Sequence, residues 1–213
     1  MDAPAHPVGD EPQSATRPQS GAADPAQAAE NGEVGAVYLT RAEIARRVEE
    51  LGGEISRDYA ELDPILVAPL KSSVVFLADL TRRLGIPHTL DVVEIAPYTD
   101  GRDGAVRLLK DVDAPLAGRH VLVVEDVVDT GLTLHFLCKT LALRSPASLA
   151  AVTLLDRPYR RLVERLPLSY VGFTVPDELF AGYGLGLEER WRALPDLHVV
   201  TSVALPRAAT EAA

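Results

Sequence analysis

The stretch that decides the fold is VLVVEDVVDTGLTL, residues 121–134. A run of Val and Leu meets Glu125 and Asp126, crosses two further valines, and passes through Asp129, Thr130 and Gly131 into LHFLCKTLALR, where apolar residues recur at helical spacing. A strand apolar along its whole length is buried on both faces, and one that turns at once into a helix belongs to a parallel sheet. The flanks repeat the pattern. PILVAP (64–69) reads as a strand followed by the loop LKSS and a helix from about Val74 to Leu84, and HTLDVVEIA (88–96) reads as the next strand. AVRLLKDV looks like a strand, the central strand lies in AGRHVLVVEDVV, a helix covers about Leu132 to Arg144, and SLAAVTLLD and SYVGFTV are strands. The expected fold class is therefore α/β, a mostly parallel central sheet flanked by helices.

Outside that core the composition changes. Residues 1–35 are rich in Pro, Ala, Gly, Gln and acids, with almost no large apolar side chain to offset the entropy of ordering, and read as a disordered tail. One domain is expected over 36–205, with a second tail at 206–213. Regular structure should begin at Tyr38 and Leu39, with Thr40 and Glu43 forming a capping box and Ile44, Val48 and Leu51 sharing a helical face that Gly52 and Gly53 end. The segment 176–197, with Tyr183 and Trp191, breaks the alternation and reads as a separate hood.

A formal net charge of -10 argues against general nucleic-acid binding, which needs clustered Lys and Arg to displace counterions from phosphates. No run approaches a membrane span or a signal-peptide core, so a cytoplasmic location and no membrane partner are expected. The single cysteine, Cys138, excludes an intramolecular disulfide and a multi-cysteine zinc site, and its apolar helical setting places it in the core. His88, His120, His135 and His198 lack the spacing of a metal site.

The acidic loop carries the chemistry. One carboxylate is enough to cap a helix, so a cap explains Asp129 or Thr130 and leaves Glu125 and Asp126 unaccounted for. Asp129–Thr133 instead reads as a phosphate nest, in which a turn at Gly131 exposes successive backbone N–H groups while Thr130 and Thr133 add hydroxyls. Glu125 and Asp126 beside it could accept hydrogen bonds from a sugar diol or approach a divalent cation through water. Because successive side chains of a strand point to opposite faces, both could reach one cleft only where the strand ends. The glycine patterns of P-loops and dinucleotide folds are absent.

VLVVEDVVDTGLTL resembles the phosphoribosyl-pyrophosphate signature of the type I phosphoribosyltransferases. LVAPLKSSVVFLADL (66–80), RLLKDVDAPLAGRHVLVVEDVVDTG (107–131), LLDRPYRR (154–161) and YVGFTVPDELFAGYGLGLEERWRALP (170–195) are similar to the hypoxanthine-guanine branch, in the same order. The resemblance implies transfer of a 5-phosphoribosyl group to a purine ring nitrogen, with Mg2+ and release of pyrophosphate. It implies that Glu125 and Asp126 contact the ribose and its metal and that Asp129 accepts the purine's proton. Thr130, Gly131, Leu132 and Thr133 would hold the 5-phosphate, and Lys71, Ser72, Ser73 and Arg192 the pyrophosphate. Arg157, Leu179 and Phe180 would meet the base, Pro97 and Tyr98 would sit on a mobile loop, and subunits would pair as a homodimer or homotetramer.

Several positions depart from the family pattern. Ser72 replaces a glycine, where a serine tolerates strained backbone less well. Pro97 and Tyr98 stand for Ser-Tyr, Arg157 for a lysine, Gly186 for a metal-associated aspartate, and Leu179, followed by Phe180, for the stacking phenylalanine. A guanidinium presents a planar fork where lysine presents a point charge. The expected acceptor is accordingly hypoxanthine or guanine, or an analogue such as a 7-substituted 7-deazapurine bearing a carboxylate. The alternative from another class is a regulator that binds phosphoribosyl pyrophosphate or a nucleotide without catalysis.

Overall fold

The computed structural model describes residues 34–96, 107–186 and 189–201. Six strands form the central sheet in the order β4-β3-β2-β5-β6-β7, comprising β2 (Ile65–Leu70), β3 (Thr89–Ala96), β4 (Arg107–Lys110), β5 (His120–Val128), β6 (Ser148–Asp156) and β7 (Leu168–Thr174). All neighbours are parallel except the edge strand β4, which runs antiparallel to β3. The alternation of strands and helices along the chain is therefore present as expected.

Side-chain alternation divides the core into two layers. Leu66, Ala68, Leu122 and Val124 point to the face covered by α1 (Arg41–Asp58) and α2 (Ser73–Thr81), where Ile44, Val48, Leu51, Ile55, Phe76 and Leu80 bury. Ile65, Val67, Val121 and Val123 point the other way, against Leu134, Leu137, Cys138 and Leu141 of α3 (Leu132–Ala142). Burial on both faces is why these strands read as continuous apolar runs. The thiol of Cys138 is pushed up to about 12, first by burial and then by the nearby Glu125, so it stays protonated as a core group.

Helix α1 begins as its sequence predicts. Glu43 N donates to Thr40 Oγ1 at 3.3 Å and Thr40 N to Glu43 Oε2 at 2.8 Å, completing the capping box. It does not end at Gly52 and Gly53, as expected, but continues to Asp58. The reason is packing: a Cβ on Gly52 would lie 2.6 Å from Arg83 Cβ, so the glycine lets α1 approach the turn after α2. A mid-helix glycine costs about 1 kcal/mol against alanine, a penalty that close contact can offset.

The small sheet has the order β1-β9-β8, from β1 (Val34–Leu39), β8 (Phe180–Ala181) and β9 (Leu197–Val200), all antiparallel. Among the described residues, regular structure thus begins at Val34, inside the segment assigned to the tail, because β1 pairs with β9. The hood is not contiguous in sequence. Residues 1–33 and 202–213, and Pro97 and Tyr98 of the expected mobile loop, lie outside the described residues. No helix among the described residues is long and apolar enough to cross a membrane.

The connection from β2 goes to β3 on one side, and the chain later returns to place β5 on the other. Ligands of such sheets bind outside the carboxyl ends of the strands at this reversal. Pairing of β2 with β5 covers only Ile65–Val67 against Val121–Val123, after which the two strands part. The segments that begin at Lys71 and at Asp129 leave the sheet on either side of that gap.

Candidate active site

The acidic pair sits where the gap opens. Strand β5 does not end at Asp126, as expected for two acids reaching one cleft, but runs on to Val128. Glu125 lines an open cavity of about 230 Å³ with Asp129, Thr130, Gly131 and Thr133. Ser73 Oγ, at the start of α2, donates to Asp126 Oδ1 at 3.0 Å and lies 3.5 Å from Glu125 Oε2. The neighbouring acids thus meet at the Ser73 hydroxyl on the loop after β2, while Glu125 also lines the cavity beside the turn after β5.

Both carboxyls are buried. Burial, then repulsion from Asp126, raises the Glu125 pKa well above its ordinary value despite the Ser73 hydroxyl. Burial also raises Asp126, with Ser72 and Ser73 hydroxyls pulling the other way. An acid whose pKa rises on folding binds its proton more tightly in the folded state. Its stabilising contribution is complete below the unfolded value and is lost as pH rises through the folded value. Glu125→Gln is therefore expected to raise the melting temperature of the ligand-free protein at neutral pH. Its advantage over the unsubstituted protein should shrink toward pH 4; a constant offset in melting curves across that range would contradict the burial argument.

The turn after β5 has the geometry of an anion cradle. Gly131 takes φ 82° as the N-cap of α3, whose first-turn N–H groups open toward the cavity. A Cβ there would come within 2.9 Å of Leu166 Cδ1 and 3.1 Å of Arg161 Cδ. Thr133 and Leu132 are exposed at its lip, and Leu132 N donates to Thr130 Oγ1 at 3.4 Å. Gly131→Ala combines the left-handed penalty of roughly 1–2 kcal/mol with that contact. It is expected to lower the melting temperature and raise the KM for the phosphorylated donor, both measurable on one preparation.

Asp129 is held between two arginines. Arg157 Nη1 lies 3.5 Å and Arg160 Nη1 3.6 Å from Asp129 Oδ2, while Oδ1 is buried without a partner among the described residues. Arg157 is itself buried, and its Nη2 lies 2.6 Å from Asp177 Oδ1, which Arg160 Nε approaches at 3.5 Å. Two guanidinium groups and two carboxylates form one network. Sequence reasoning missed Asp177. No spacing rule connects residues 129, 157 and 177, which only the ends of β5, β6 and β7 bring together. Arg161 pairs instead with Asp156.

The loop after β2 carries a cis peptide bond between Leu70 and Lys71. Ser72, expected to be ill suited to a glycine position, has φ -63° and ψ -37°, an ordinary right-handed conformation that needs no glycine. Ser73 has no exposed surface, and its hydroxyl serves Asp126 rather than the cleft. Lys71 extends outward to Glu189, which also meets Arg192. The hood is fastened to this loop: Gly184 packs so closely that a Cβ would lie 2.4 Å from Ser72 O, and Tyr183 Oη donates to Asp79 Oδ2 of α2 at 2.8 Å.

Leu179 and Phe180 separate. Leu179 is exposed, whereas Phe180, expected beside the base, turns into the core on the α1 and α2 side of the sheet and packs on Tyr38 with ring centroids 4.8 Å apart. Leu179 stands just before β8 and Phe180 begins it, one exposed and the other buried, so the aromatic next to Leu179 cannot stand in for one at 179.

Among the described residues, no three His, Cys, Asp or Glu side chains converge to hold a metal. The donor set still fits magnesium, which takes one or two carboxylates and completes its shell with water and substrate phosphates. Buried, mutually repelling acids gain from a cation. Gly186 adds no carboxylate.

A model of the phosphoribosyl transferase domain matches residues 37–185. The chain belongs to this family. Hypoxanthine phosphoribosyltransferase of Salmonella typhimurium is 42% identical over 163 residues, covering 75% of this chain and 91% of that one. Hypoxanthine-guanine phosphoribosyltransferase of Mycobacterium bovis is 40% identical over 185 residues, covering 82% and 91%. Among solved structures, a hypoxanthine-guanine phosphoribosyltransferase from Bacillus anthracis, crystallised with a HEPES molecule in its active site, superposes with a TM-score of 0.75 at 38% identity. It covers 80% of this chain and 99% of its own. Membership accounts for the type I phosphoribosyltransferase fold, with a parallel-rich sheet.

Proposed function

We propose that this protein is a purine phosphoribosyltransferase that moves the 5-phosphoribosyl group of phosphoribosyl pyrophosphate to a ring nitrogen of hypoxanthine or guanine, releasing pyrophosphate. The observation that carries the reading is the convergence, at one sheet reversal, of the nest at Asp129–Thr133, the buried acids Glu125 and Asp126, and the cationic loop at Lys71. A bound donor would place its 5-phosphate on the amides of Thr130–Thr133, its ribose hydroxyls toward Glu125 and Asp126, and its pyrophosphate toward Lys71 and Arg192. Carboxylates beneath the ribose stabilise positive charge as the bond to pyrophosphate lengthens. Asp129 accepts the proton that the base gives up, with Arg157 and Arg160 fixing one of its oxygens. Glu125 and Asp126 would hold magnesium, in part through water, and the ion supplies neutralisation of the leaving pyrophosphate's charge.

The Arg157 network favours an ordinary oxopurine over a carboxylated analogue. Its guanidinium is already compensated by Asp129 and Asp177, so a carboxylate on the base would meet two resident carboxylates. Leu179 offers an exposed apolar surface to the base. A cytoplasmic location and assembly as a homodimer or homotetramer belong to the same proposal.

The test is pyrophosphate release with donor, magnesium and, in turn, hypoxanthine, guanine and a 7-carboxylated 7-deazapurine. The expected order places the oxopurines first by kcat/KM. Preference for the carboxylated base would overturn the acceptor assignment, and donor binding without turnover of any base would leave the protein a regulator.

A further inference from the structure

The two cations assigned to pyrophosphate are already bridged by one carboxylate. Lys71 Nζ lies 2.9 Å from Glu189 Oε2, and Arg192 Nη2 lies 3.1 Å from Glu189 Oε1, so each oxygen serves a different cation. One cation comes from the loop after β2 and the other from the hood. Arg192 Nη1 donates to Gly184 O at 2.9 Å, and its Nε is buried without a partner among the described residues.

Gly186 makes this pose available. A Cβ at 186 would fall 2.8 Å from Arg192 Cγ and 2.9 Å from its Nε and Cζ, so the guanidinium lies where any side chain at 186 would begin. Glu189 itself has φ 66°, in the left-handed region that L side chains rarely adopt. Hydrogen bonds from Lys71 and then Arg192 hold the Glu189 carboxyl below its ordinary value, so it is an anion at neutral pH.

We propose that Glu189 is a resident surrogate for pyrophosphate, a carboxylate that gathers Lys71 and Arg192 in the donor-free enzyme and is displaced when the donor binds. The inference rests on the reading of Lys71 and Arg192 as pyrophosphate ligands. Lys71 and Glu189 are 67% and 64% exposed, and screened pairs of this kind are weak. A ligand with several negative charges therefore displaces the carboxylate readily, while the carboxylate still competes with it. After reaction the same group can retake both cations as pyrophosphate departs, which favours release.

The test is calorimetric titration of inorganic pyrophosphate, with magnesium and at low salt, into the full chain and into Glu189→Gln, Glu189→Ala and Lys71→Ala. Both Glu189 variants are expected to bind pyrophosphate about three- to tenfold more tightly, a range set by the loss of two screened ion pairs. The KM for the donor should fall in parallel, and the gain should shrink at high salt as screening weakens the competing pairs. Lys71→Ala should bind more weakly. If Lys71→Ala binds like the unsubstituted protein, the pyrophosphate assignment fails and the surrogate role with it. If Lys71→Ala weakens binding but neither Glu189 variant strengthens it, the pyrophosphate assignment stands and the surrogate role is wrong. Weaker binding by the Glu189 variants would make Glu189 an organiser of the site and would equally overturn displacement.

Discussion

Asp129→Asn is expected to lower kcat by about 10²–10⁴-fold, the range of a positioned general base, while leaving affinity for phosphoribosyl pyrophosphate near that of the unsubstituted enzyme. The asymmetry of the carboxylate motivates this. Its Oδ2 is shared by Arg157 and Arg160, whereas Oδ1 has no partner among the described residues. A buried acceptor left unpaired is unfavourable unless a partner arrives with a ligand, and a base N–H is the partner that the chemistry requires. Asparagine keeps the shape and cannot take the proton. Single-turnover rates and donor titrations on the same variant separate the two effects. A loss under tenfold in the chemical step would remove Asp129 from the role of base.

Arg157→Ala should raise the KM for the purine by about 10- to 100-fold, the equivalent of losing hydrogen bonds from a charged group, with a much smaller change in the donor's KM. The side chain is buried, and its removal also leaves Asp177 and Asp129 to the half-exposed Arg160. Because Asp177 is 58% exposed, water partly compensates, and the stability loss should stay near 1 kcal/mol rather than the several expected for a fully buried pair. Arg157→Lys retains the charge and loses the fork, so it can satisfy one carboxylate at a time. Its base KM should lie between those of the arginine and alanine forms. An unchanged base KM in Arg157→Ala would place the network outside the base subsite and make it a structural brace between the ends of β5 and β6.

The opposed demands on Glu125 illustrate how a site can oppose stability. Its burial favours a neutral acid in the empty protein, yet the proposed chemistry needs negative charge beneath the ribose. Functional groups of this kind commonly cost stability, and substitutions that relieve them are stabilising at the expense of activity. The exposed pair between Lys71 and Glu189 presents the converse case, in which solvent screening keeps an internal anion weak enough to be exchanged.

Much of the sheet and of the turn after β5 was legible along the chain, for local reasons. Continuous Val and Leu in residues 121–124 mark a strand buried on both faces, and Asp129, Thr130 and Gly131 mark the turn into α3 because so short a connection leaves few conformations. Thr40 and Glu43 announced a capping box within four residues. Gly52 misled because a glycine that ends a helix and one that admits a neighbour look alike until Arg83 is in place. Phe180 misled because a strand of two residues has too little sequence to display its alternation.

By itself, then, the sequence determined the α/β class, the central strand and the acid-rich turn with its left-handed glycine, all set by periodicity and backbone sterics over a few residues. The tertiary structure alone decided that Glu125 and Asp126 meet at Ser73, that Arg157 is shared by Asp129 and Asp177, and that Glu189 spans Lys71 and Arg192. These pairings join residues up to 118 positions apart. Which side chains meet across such separations depends on strand order, on the parting of β2 from β5 and on the docking of the hood, none of which is encoded in local spacing.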